Sequence, residues 1–172
     1  MKTSTALAAL VAAILPALAL GAEPASTNAA AATPWIVTRS VDPVTDVESV
    51  TVSGSAPTIT VRNNPHVPRL FIRRRGETTE LFYTLGGEGA NFPRSGATVT
   101  LRPDAEPAES SEWTASTTRA TLFYHGDVAA LVDRLRAADR LIVRVQTTLG
   151  DITTATFDLA GLRAAWEDFE RP

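Results

Sequence analysis

Between Asp127 and Phe169 the hydrophobic spacing switches from a helical to a strand period and back, with a physical signal at each junction. Val128, Leu131, Val132 and Leu135 stand at i, i+3, i+4 and i+7, which puts four apolar side chains on one helix face while Asp133, Arg134 and Arg136 point away. Asp127 precedes them as an N-cap. From Leu141 to Gln146 the period becomes two, with Leu141, Val143 and Val145 on one side. Gly150-Asp151 permits a turn, Ile152 to Phe157 is a second strand, and Asp158 is placed to cap a helix carrying Leu159, Leu162, Trp166 and Phe169. The spacing predicts a β-hairpin clasped by two amphipathic helices. No reacting group stands there with partners at catalytic spacing, so the tract speaks for fold rather than chemistry.

Upstream, short alternating runs recur between turn residues. Trp35-Ile36-Val37 starts a strand, Asp42-Pro43-Val44-Thr45-Asp46 is a turn, Val50 and Val52 belong to a strand, and Gly54 to Pro57 turns into Ile59 and Val61. Asn63 to Pro68 reads as a loop stiffened by two prolines. Leu70 to Arg75 and Thr78 to Leu85 flank Gly76-Glu77 as a hairpin with one apolar side and one side carrying Arg73 and Arg75. Gly86-Gly87-Glu88-Gly89 reads as a further hairpin turn, Ala97 to Arg102 as a strand, Asp104 to Glu112 as an acidic loop, and Trp113 to Tyr124 as one or two strands. The expected architecture is mainly β within the α+β class: an antiparallel β-sandwich or curled sheet, with two C-terminal amphipathic helices over an edge or open end.

At the N-terminus, Lys2 precedes an apolar run from Ala6 to Leu20 that is interrupted by Pro16 and followed by small residues. The run is shorter than the roughly 20 residues of a membrane-spanning helix and reads as a secretory signal peptide over residues 1–22, cleaved after Gly21 or Ala22. Residues 23–34, rich in Ala, Ser and Thr, read as a flexible linker, and 35–172 as one β-rich domain of roughly 135 residues. With no cysteine to carry a lipid, no membrane anchor is expected after cleavage, and the domain is expected to be periplasmic. It must fold without disulfides.

The same composition removes whole classes of chemistry. Lys2 is the only lysine, so the exported domain can form neither a Schiff base nor a phosphate-loop lysine contact. Losing Lys2 takes the net charge from −3 down by one to −4, which argues against nucleic acid as a partner. Thiolate nucleophiles and thiolate metal sites are absent. His66 and His125 are too few for a zinc site, and no Gly-x-Ser-x-Gly elbow occurs, so no catalytic residue, cofactor site or metal site is assigned. Neither Asp42 with Asp46, nor Asp104, Glu106, Glu109 and Glu112, has the spacing of a calcium loop. The glycine cluster leads into another strand rather than a helix N-terminus, unlike a phosphate loop. Trp113 and Trp166 are expected in the core. Arg73 and Arg75 remain as partner-binding candidates, because guanidinium forks match carboxylates and phosphates; the alternative, which the sequence favours, is a solvated strand end paired with Glu77 or Glu80.

Several stretches together resemble the periplasmic proteins associated with type VI secretion, the VasI or TagO-like family. They are Trp35 followed by Asp42-Pro43 and Asp46, the hairpin Leu70-Phe71-Ile72-Arg73 with Thr79-Glu80-Leu81-Phe82, and the tail from Leu131 to Leu141 and from Thr154 to Leu162. The family's hairpin often carries a cysteine near the position of Arg74, which this chain lacks. The resemblance implies a protein partner in the cell envelope, such as a secretion-machine component, and brings no catalytic residues. The expected function is thus that of an exported, non-catalytic binding or assembly-accessory protein. The competing expectations are a cell-envelope hydrolase and a small-ligand-binding β-domain.

Overall fold

The computed structural model describes residues 35–171; the expected signal segment 1–22 and linker 23–34 lie outside the described residues. The strands are β1 (Ile36–Val41), β2 (Glu48–Ser55), β3 (Ile59–Val61), β4 (Asn64–His66), β5 (Arg69–Arg75), β6 (Thr78–Thr84), β7 (Ala97–Pro103), β8 (Glu109–Ala115), β9 (Thr121–Phe123), β10 (Arg140–Gln146) and β11 (Ile152–Asp158). Helix α1 (Val128–Ala137) lies between β9 and β10, and α2 (Leu162–Glu170) ends the described chain. The main sheet has nine strands, all antiparallel, in the order β1-β2-β5-β6-β9-β8-β7-β10-β11. A separate hairpin joins β3 to β4.

The sheet turns on itself at β8. Its residues Glu109 to Trp113 pair with β7, whereas Thr114 and Ala115 pair with β9, so one strand serves both halves. The halves face each other: Tyr83 of β6 meets Phe157 of β11 edge to face at 6.3 Å, inside a single core that also holds Ile72, Leu81, Leu141 and Val143. Each such fully buried aliphatic side chain contributes about 1.5–3 kcal/mol. The curl stops short of a closed barrel, leaving β1 and β11 as the two edges. At one corner the Trp35 indole N–H donates to the Asp158 carbonyl at 2.8 Å and ties the edges together.

The sequence periodicities account for the late elements. Asp127 caps α1 by accepting from the Ala130 N–H, and Leu131, Val132 and Leu135 are the buried face. Residues 141, 143 and 145 of β10 are buried, as are 153, 155 and 157 of β11. Helix α2 packs its Leu162, Ala165, Trp166 and Phe169 over β2 and β1, and Arg74 lies over the Phe169 ring at 5.0 Å. Trp113 and Trp166 are both buried, as expected.

Five expectations are corrected. Asp158 does not cap α2: it ends β11 and accepts from the Ala160 N–H, Leu159 is buried ahead of the helix, and α2 begins at Leu162 with no side-chain cap. The expected loop Asn63–Pro68 contains β4, because Arg62 and Asn63 both take positive φ and make a two-residue hairpin turn without the usual glycine. Gly86 to Gly89 is not a hairpin turn, since the chain leaves the sheet after β6 and β9 takes the neighbouring place. Gly54 lies inside β2 rather than in a turn; a Cβ there would meet the Trp35 ring at 2.6 Å. The acidic loop is shorter than expected, because β8 begins at Glu109.

Candidate functional site

Alternation along β5 sends Leu70 and Ile72 into the core and Phe71 and Arg73 to the outer face of the sheet, with Arg75 exposed at the strand end. Cross-strand pairing then builds a grid on that outer face. Phe71 stands opposite Phe82 of β6, and Phe82 opposite Phe123 of β9. The rings of Phe71 and Phe82 stack at 4.8 Å with planes 10° apart, and Phe123 lies 5.4 Å from Phe82. All three are only half-buried and stand outside the core cluster. At 4.8 Å two nearly parallel rings lie face to face, not side by side in one plane, so the column presents an apolar ridge rather than an open flat ring surface.

Arg73 is held against this ridge. Its Nε and Nη2 donate to Glu80 Oε2 at 3.1 and 2.5 Å, and its guanidinium lies 5.1 Å from the Phe82 ring centroid. Arg75 is looser, with one contact from Nη2 to Asp42 Oδ2 at 3.3 Å and 57 % of its side chain exposed. Ser40, Asp42, Pro43 and Ser49 join the two arginines around a groove of about 280 Å³. The Asp42 carboxyl is held below its ordinary value chiefly by accepting the Val44 and Thr45 N–H groups, with Arg75 adding a smaller electrostatic pull. The two sequence candidates thus lie on one face, whereas Arg74 is on the opposite face and donates to the Phe169 carbonyl at 3.2 Å.

The histidines are placed apart. His66 is buried, and its Nδ1–H donates to the Gly86 carbonyl at 2.5 Å, pinning the glycine loop to β4. His125 is exposed with Nε2 2.5 Å from Thr114 Oγ1, beside a groove of about 480 Å³ that also borders Glu80 and Phe123. A hydroxyl and an imidazole in contact are two members of a nucleophilic arrangement. Among the described residues no side chain orients the other ring nitrogen, and Glu80 is engaged by Arg73.

The acidic candidates are likewise dispersed into structural work. Asp104 accepts the Asp139 and Arg140 N–H groups, Glu106 and Glu109 grip Arg134, and Glu112 bonds the Thr98 hydroxyl. Among the described residues no cluster of three or more His, Cys, Asp or Glu could hold a metal ion. Sequence reading found Arg73 and Arg75 but missed the phenylalanine column. Phe71 alternates with both arginines, which is a visible signal, but Phe123 joins only through the β6–β9 pairing. Neither a protein-family model, a curated protein nor a solved structure matches this chain.

Proposed function

We propose that this chain is an exported, non-catalytic binding or assembly-accessory module whose outer sheet face, carrying Phe71, Phe82, Phe123, Arg73 and Arg75, docks a protein partner of the cell envelope. The observation that carries the reading is the half-exposed aromatic column with Arg73 laid on it. Aromatic and arginine side chains dominate the energetic centres of protein interfaces, because they bury large area while keeping polar contacts. Both Arg73 and the stacked rings are pre-oriented, which lowers the ordering cost of docking. The phenylalanine faces are turned toward one another and toward Arg73, so the surface suits interdigitating side chains better than a stacked sugar ring. The resemblance of the Leu70–Phe82 hairpin and of the tail to VasI or TagO-like proteins is what ties the proposal to type VI secretion.

The test is in-cell crosslinking of the tagged chain followed by identification of captured proteins. Arg73→Ala with Arg75→Ala is expected to reduce capture of envelope proteins at least tenfold while leaving the melting temperature within a few degrees, since the Arg73 side chain is 35 % and the Arg75 side chain 57 % exposed and exposed ion pairs add little stability. Undiminished capture by the double variant would refute the assignment of this face. The hydrolase reading makes a different forecast, loss of a cell-envelope phenotype in His125→Ala; an unchanged phenotype is expected.

A further inference from the structure

The two edges of the main sheet are treated differently. β11 faces β3 across a groove of about 310 Å³, and Arg62 clamps the gap: its Nε reaches Asp151 Oδ2 at 2.5 Å and its Nη2 donates to the Leu149 carbonyl at 3.0 Å. Among the described residues β1 has no such cover along its free edge. It pairs with β2 on one side, and among the described residues its outward backbone groups make no hydrogen bond. An open edge is a template for another strand, and proteins usually guard it with proline, an exposed charge or a bulge. β1 contains no proline and pairs with β2 without interruption from Ile36 to Val41. Its one charge, Arg39, is folded back onto the end of α2, donating to the Asp168 carbonyl at 2.6 Å and the Arg171 carbonyl at 2.9 Å. Of the six most exposed large apolar residues described, Ile36, Val41 and Val44 lie on β1 or in the turn after it.

From this asymmetry we propose that β1 is a self-pairing edge through which two copies of this chain join into one continuous antiparallel sheet. A two-fold axis perpendicular to a sheet pairs residues of the same facing, so the symmetric registers centre on single residues of the strand. Length and charge select among them: within Ile36–Val41 only the registers centred on Thr38 and Arg39 pair five residues, against three for Val37 or Ser40. Centring on Arg39 sets two guanidinium-bearing residues directly opposite, which is unfavourable. Centring on Thr38 sets Thr38 against its own copy, Val37 against Arg39 and Ile36 against Ser40, with no like charges opposed. The outer faces of both copies, with their Phe71 and Arg73 columns, then lie side by side and remain open.

The absence of cysteine makes the register directly testable. In the Thr38-centred pair the two Thr38 Cα atoms stand about 4.5–5.5 Å apart, within the roughly 4.4–6.8 Å that a disulfide bridges. In that register the two Ser40 Cα atoms are about 14 Å apart, beyond reach. The full chain carrying Thr38→Cys, oxidised with copper phenanthroline, is expected to form a covalent dimer at least tenfold faster than Ser40→Cys. By sedimentation equilibrium the unmodified chain should approach twice its single-chain mass as concentration rises. Thr38→Lys, an exposed change that opposes two charges at the axis, should stay at the single-chain mass with an unchanged circular dichroism spectrum. Equal crosslinking of the two cysteine variants, or a single-chain mass at every concentration, would overturn the proposal and leave the edge to a foreign strand or to none.

Discussion

Replacing Tyr83 with Phe should make this protein more stable. Tyr83 is 0 % exposed, and among the described residues its hydroxyl oxygen has no hydrogen-bond partner. Burying a hydroxyl without a partner costs about 1–3 kcal/mol, while the ring keeps its contacts with Phe92 at 6.2 Å and Phe157 at 6.3 Å in either variant. Tyr83→Phe is therefore expected to gain about 1–2 kcal/mol, or roughly 3–8 °C in melting temperature for a domain of this size. The pH dependence supplies a second, independent reading. Burial pushes the Tyr83 phenol well above its ordinary 10.0, so the folded state keeps the proton that the unfolded chain releases near that value. A group whose folded pKa is raised gives stability that is complete below the unfolded pKa and is lost as pH rises toward the folded one. Between pH 9 and 11 the wild type should lose about 1.4 kcal/mol relative to Tyr83→Phe, one proton's worth over one unit above the unfolded value. Urea denaturation of both proteins at pH 7, 9 and 11 measures this. A Phe variant less stable by 1 kcal/mol or more at pH 7 would refute the reasoning, because it would mean the hydroxyl is bonded in solution.

Gly54→Ala should destabilise by about 1–3 kcal/mol, since its Cβ would stand 2.6 Å from Trp35 Cε2; displacing that indole should shift tryptophan fluorescence to the red. Asp104→Ala should cost about 1 kcal/mol in chemical denaturation by removing the carboxylate that accepts the exposed Asp139 and Arg140 N–H groups, whereas Glu106→Ala, removing one exposed ion-pair partner of Arg134, should cost less than Asp104→Ala. Arg75→Ala should raise the Asp42 pKa only slightly in an NMR titration, because the Val44 and Thr45 N–H groups do most of the lowering; a return to the ordinary value would show that Arg75 dominates.

What could be read in the sequence was what short spacing encodes. The face Val128-Leu131-Val132-Leu135, the Asp127 cap and the alternation of β10 and β11 each depend on residues within about two turns of one another, and each is present. The outward placement of Arg73 followed from the same parity rule. Strand order was not legible, because the neighbour of β6 is β9, thirty-odd residues later, rather than the next strand in the chain. The candidate face suffered from the same limit, since a column made of residues 71, 82 and 123 exists only once those pairings are known. Asp158 misled for a different reason: its side chain does bond a following N–H, but in a turn that inserts Leu159 into the core before the helix starts.

The tie between the two ends of the folded chain sets the order in which it can form. Trp35 bonds Asp158 across 123 residues, and Arg39 bonds the Asp168 and Arg171 carbonyls across 129 and 132. During synthesis, the first strand therefore has none of these anchors until Asp158, Asp168 and Arg171 have been made. A chain cut before Leu162 would lose both Arg39 acceptors, so damage to α2 would be felt at β1. Closure over such separations carries a large loop entropy, which makes this a slow-folding topology for its size.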